Sequence, residues 1–105
     1  MVDLDDNKFL YELGKSIKPL KPEKVVIFGS FVDKGLNAHD IDLLIISNFF
    51  SNYFWQDRLK LLDLPHGPFY DVRLFTAAEF ESLFPIDHHF RQNLEKHSIN
   101  LEVYL

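Results

Sequence analysis

Two aspartates, Asp40 and Asp42, open the apolar run "DIDLLII" two residues apart. Side chains alternate along a strand, so both carboxylates face the same way, while Ile41 and Leu43 face the other. Two residues rise about 6.6 Å, close enough for both acids to grip one cation or bracket two. Left bare, like charges at that distance repel and raise a pKa. A hard divalent cation removes the conflict, and Mg²⁺ favours one or two carboxylates completed by substrate phosphates. Upstream, Gly29-Ser30 ends the apolar run "VVIF". A glycine between a strand and a helix start lets a ligand approach the backbone closely, and a helix N-terminus suits phosphate. Ser30 can cap that helix and donate its hydroxyl. A third acid, Asp71, sits in "FYDVRLF" with Arg73 on the same face. With a strand spacing of about 4.8 Å, Asp71 joins the cluster if its strand lies beside "DIDLLII". Two metals held there would activate an attacking hydroxyl and stabilise a leaving oxygen.

The elements that must position these groups follow from periodicity. An opening helix runs from about Asp6, with Phe9, Leu13 and Ile17 on one face. Prolines in "IKPLKPEK" turn the chain into a first strand over 24–29, covered on both faces. Residues 30–35 form a short helix stopped by Gly35, and residues 40–47 the second strand. Ser51 caps a third helix that presents Trp55, Leu59 and Leu62. A loop over 64–68 leads to a third strand at 69–75. Thr76 and Glu79 have capping-box spacing, and Phe75 and Phe80 that of a hydrophobic staple. Pro85 ends this helix, Asp87 caps a last one carrying Phe90 and Leu94, and residues 100–105 read as a final edge strand. The order α-β-α-β-α-β-α-α-β predicts one α/β or α+β domain over residues 1–105, with helices around a small sheet.

Composition narrows the function classes. The chain has 105 residues, 47% of them hydrophobic, so a real core is within reach. A formal net charge of −5 argues against general nucleic-acid binding, which needs a basic face. No cysteine is present, which removes disulfides, zinc thiolates and thiol nucleophiles. The acidic start "MVDLDDNKFL" does not have signal-peptide order, and no apolar run approaches a membrane span of ~18 residues. The cytoplasm is the expected location.

Other features have plainer readings. "DLDDN" does not have the glycine and distal glutamate of a calcium loop and reads as a solvated terminus. Adjacent His88 and His89 diverge by about 100° on a helix and cannot chelate together. They, with His66 and His97, read as surface or capping residues. His39 differs in abutting Asp40. In "NFFSNYFWQDRL" the aromatics cannot all reach one core from one helix. Phe54 or Trp55 is the expected core residue, with Phe49, Phe50 and Tyr53 candidates for a partner surface.

"GSFVDKGLNAHDID" resembles the Gly-Ser…Asp-x-Asp signature of the nucleotidyltransferase superfamily typified by DNA polymerase β, and the short chain with "FYDVRLFTAAEF" resembles its minimal branch. The resemblance spans roughly residues 24 to 84. It implies a palm-like mixed sheet flanked by helices, Mg²⁺, and transfer of a nucleoside monophosphate from ATP or another nucleoside triphosphate. By position, Asp40 and Asp42 match the two metal-binding acids. Asp71 matches the third, which helps activate the acceptor hydroxyl, and Gly29 and Ser30 match the pair gripping the triphosphate. Minimal members often carry an arginine soon after Gly-Ser. Here Asp33 and Lys34 stand there, so Lys34 and Arg73 become the candidate phosphate-binding cations. The resemblance also implies a small helical HEPN-type partner protein, in a toxin-antitoxin pair with this chain as antitoxin and a partner tyrosine as acceptor. Two further readings stay open: a catalytically idle module that neutralises a partner by docking, and a homodimeric small-molecule nucleotidyltransferase of the antibiotic-modifying kind.

Overall fold

The computed structural model describes residues 4–105. Helix α1 (Leu4–Ile17) leads through a 3₁₀ turn into strand β1 (Lys24–Phe28). The short helix α2 (Phe31–Lys34) and a 3₁₀ turn precede β2 (Asp40–Ile46). A 3₁₀ turn at Asn48–Asn52 and helix α3 (Trp55–Arg58) connect to β3 (Phe69–Phe75). Helices α4 (Ala77–Leu83) and α5 (His89–Lys96) follow, then β4 (Ile99–Asn100) and a last 3₁₀ turn. The sheet order is β3-β2-β1-β4, with β1 antiparallel to β2 and β4, and β2 parallel to β3. This is the expected small mixed sheet flanked by helices.

Both faces of the sheet are covered, which is why the inner strands read as continuous apolar runs. On one face Val25, Ile27, Ile41, Leu43 and Ile45 pack against Leu10, Leu13 and Ile17 of α1. On the other, Val26, Leu44, Ile46 and Phe75 pack against Phe80 of α4 and Leu94 of α5. The Thr76–Glu79 capping box forms as the spacing predicts, and the staple residues Phe75 and Phe80 lie 6.3 Å apart.

Five local expectations are corrected. Ser51 is not a helix cap. Ser47 is, accepting from the Phe49 amide while donating to the Leu20 carbonyl. The turn after it is 3₁₀, and it inserts Phe50 fully into the core. Trp55, Leu59 and Phe54 are consequently exposed, and the buried residue of α3 is Arg58. Its guanidinium grips Glu79 at 2.6 and 2.9 Å and donates to the Leu74 carbonyl. Helix α5 is capped by His88 rather than Asp87, with His88 Nδ1 accepting from the Phe90 amide at 3.1 Å. Beyond Asn100 the edge strand gives way to a 3₁₀ turn, because the Asn100 side chain accepts from the Glu102 amide and Leu101 turns inward. Asp6 is not a solvated terminal acid: it is buried, and its carboxylate accepts from the Leu36 amide at 2.9 Å. Asp3, the first acid of "DLDDN", lies outside the described residues. No helix among the described residues is long and apolar enough to cross a membrane.

Candidate active site

The register of the three inner strands assembles the site. Asp42 lies opposite Phe28 of β1 on one side and opposite Asp71 of β3 on the other. Alternation puts Asp40, Asp42, Asp71, Arg73 and Phe28 on the face that α4 and α5 cover further along. The acids occupy its open end: Asp40 and Asp71 are exposed and Asp42 is half-buried. Gly29 follows Phe28 with φ +73°, a left-handed conformation that L side chains rarely adopt. A Cβ at that position would run into the Asp42 carboxylate. The residue type at 29 is therefore set twice, by backbone conformation and by the carboxylate against it.

Asp42 carries the electrostatic signature of the site. Burial pushes its pKa up, and the neighbouring charges of Asp71 and Asp40 push it further, with Arg73 partly offsetting them. Asp42 and Asp71 are within hydrogen-bonding reach of each other. Two acids in this relation are costly when both are ionised, and a cation between them lowers that cost. Among the described residues, no three carboxylates or imidazoles converge into a ready-made metal site. What the strands bring together is a carboxylate pair with Asp40 one pleat away. That donor set fits the mode in which Mg²⁺ takes one or two protein carboxylates and completes its shell with water and substrate phosphates.

The Gly29-Ser30 turn and the short helix after it are built differently from their sequence expectation. Ser30 makes no side-chain cap on α2, so its exposed hydroxyl is not committed to its own helix. Helix α2 has only four residues. Its aligned dipole is small, and the side of Gly29 that a Cβ would fill is taken by the Asp42 carboxylate. Lys34 ends α2 as an exposed side chain, and among the described residues no ion pair ties it to the acids. Asp33 pairs with His97 of the α5 end, Nε2 to Oδ1 3.2 Å. The Arg73 guanidinium lies 5.6 Å from the Phe28 ring and 5.0 Å from the Phe90 ring, held by aromatic faces rather than by a carboxylate. His39 is exposed beside Asp40.

Sequence reasoning missed the aromatic and polar lining contributed by α5: Phe90, Asn93 and His97 border the same end of the sheet as Gly29 and Arg73. Their spacing of three and four residues is the signal that places them on one helix face.

A family model described as a nucleotidyltransferase domain matches residues 8–101. No curated protein and no solved structure gives a match.

Proposed function

Because this chain belongs to the nucleotidyltransferase domain family, we propose that it moves AMP from ATP to a hydroxyl on a second protein, as a minimal nucleotidyltransferase whose partner is HEPN-type. The observation that carries the reading is the cross-strand register, which pairs Phe28 with Asp42 and Asp42 with Asp71, so that Gly29, next in the chain, lies against the Asp42 carboxylate. In this reading Gly29 admits the triphosphate to the backbone, and Ser30 donates its hydroxyl to a phosphate oxygen. Arg73 and Lys34 supply positive charge to the phosphates. Asp42 and Asp71, with Asp40 beside them, hold Mg²⁺. When bound, Mg²⁺ neutralises phosphate charge and polarises the reacting phosphoryl group. The acceptor oxygen attacks the α-phosphorus in line, the bond to the β-phosphate oxygen breaks, and pyrophosphate leaves. The hydroxyl proton passes to Asp71. The exposure of Asp40 and Asp71 supports an acceptor arriving on another molecule. A toxin-antitoxin pair, with this chain modifying a tyrosine of the toxin, follows from the same reading. Exposed Phe49, Phe54 and Trp55 form the proposed partner contact.

The test is transfer of α-labelled ATP to a co-expressed HEPN-type partner in the presence of Mg²⁺. Label is expected on the partner, and Asp40→Asn with Asp42→Asn is expected to reduce transfer roughly 100-fold or more. Full transfer by that double variant sinks the mechanism. A docking-only reading draws on one observation, that the acids do not form a three-ligand cluster. Neutralisation of the partner by the same double variant, without label, selects docking.

A further inference from the structure

Between the end of β1 and helix α5, next to the carboxylates, lies a cleft of about 460 Å³. Phe28, Arg73 and Phe90 wall it, and buried Leu94 closes it behind them. Asn93 and His97 are the exposed polar residues of its lining. Gly29 also lines it, so the cleft opens onto the turn beside Asp42. Its size suits a small organic ligand. Phe28 and Phe90 meet edge to face at 5.3 Å, and the Arg73 guanidinium stands against both rings. A flat heterocycle gains most from such walls, because every nucleobase has a π-face to stack on an aromatic ring. The Asn93 amide offers one acceptor and two donors, the combination that pairs with N6 and N7 of adenine. The His97–Asp33 contact ties this end of α5 to α2, so the cleft and the turn at Gly29 are held as neighbours.

We propose that this cleft binds the adenine base of the triphosphate, packed against Phe28, Arg73 and Phe90 with its edge toward Asn93. The proposal rests on the nucleotidyltransferase reading of the carboxylate site. It adds a base-selecting surface made by α5, whose residues take no part in the phosphate chemistry.

Calorimetric titration of the full chain with ATP, GTP and inorganic tripolyphosphate, each with Mg²⁺, tests it. ATP is expected to bind more tightly than GTP or tripolyphosphate. Asn93→Ala is expected to weaken ATP about tenfold while leaving tripolyphosphate unchanged, and Phe90→Ala, which also removes a ring that holds Arg73, is expected to weaken ATP more than tripolyphosphate. Asn93→Ala should also erase the preference for ATP over GTP. Phe90 borders the core, so its variant is checked by circular dichroism. Asn93 is exposed, and its variant decides the matter alone if Phe90→Ala does not fold. Equal binding of ATP and tripolyphosphate, a preference for GTP, or ATP affinity unmoved by Asn93→Ala overturns the base site and leaves the carboxylate reading standing. Failure of both ATP and tripolyphosphate to bind overturns the two together.

Discussion

Asp42 concentrates the conflict that makes the site useful. Burial and two neighbouring acids disfavour its charge, and Arg73 partly offsets them. A carboxyl whose pKa is raised on folding favours the folded state when protonated. That contribution is complete below its ordinary value of 3.8 and is lost as pH rises through the higher folded value. In chelator at pH 7, Asp42→Asn is therefore expected to raise the melting temperature, since the amide removes the repelled charge. The gain should shrink as pH is lowered toward 3.8, where the wild-type carboxyl becomes protonated. Melts of both proteins across that range provide the check. A variant less stable than wild type at pH 7, or a difference flat in pH, contradicts this account of Asp42. The same substitution should abolish stabilisation by Mg²⁺, which separates the cost of the charge from its use.

At the level of elements, β3 and the helix after it are held by a pair that no pattern in the sequence announces. Arg58 is 3% exposed, and its fork grips Glu79, whose side chain also closes the capping box of α4. Its guanidinium stacks 4.5 Å from the Trp55 ring. The hydrogen bond from Arg58 chiefly holds the Glu79 pKa below its ordinary 4.5. A depressed carboxyl contributes stability that is present above that ordinary value and lost as pH falls through the lower folded value. Glu79→Gln keeps the shape and leaves Arg58 buried without an anion, which costs about 3 kcal/mol at pH 7. Urea unfolding at pH 7 and at pH 3 should show the gap between variant and wild type narrowing at the lower pH. An undiminished gap contradicts the pair as its cause. Of the apolar stripe Trp55, Leu59 and Leu62, only Leu62 packs against the core, and the first two face outward, because the stripe assumes one continuous helix. The chain instead spends Asn48–Asn52 on a 3₁₀ turn, which resets the phase and turns Phe50 inward. The ends of the first three strands and the Thr76 cap were legible, since alternation and capping chemistry are local, whereas the edge strand β4 was not. Ser47, His88 and Arg58 were not, since each is chosen by a partner distant in sequence or by a turn geometry several sequences satisfy.

Across the whole molecule, the site exists only when β1, β2 and β3 are all in register. Asp42 was readable as an acid from its own strand, and the Gly-Ser turn from the strand before it. That they touch, and that Asp71 stands opposite Asp42, depends on an antiparallel and a parallel pairing that composition does not specify. The contribution of α5 was illegible for the same reason: nothing local says which strand end Phe90 will face. A site drawn from segments spanning residues 28 to 73 is absent from the unfolded chain, so any ligand it binds stabilises the fold by mass action. At a hundredfold excess over its dissociation constant, Mg-ATP should add about 2.7 kcal/mol, a rise in melting temperature on the order of 10 °C for a domain of this size. ATP with EDTA should give much less, because Asp42 and Asp71 then face the triphosphate with no cation between them. The combined Asp42→Asn, Asp71→Asn variant should fold and respond to neither. Equal shifts with and without Mg²⁺ would place the nucleotide somewhere other than the carboxylate end of the sheet. A shift retained by the double variant would show that the register of these two acids, although present, is not what binds it.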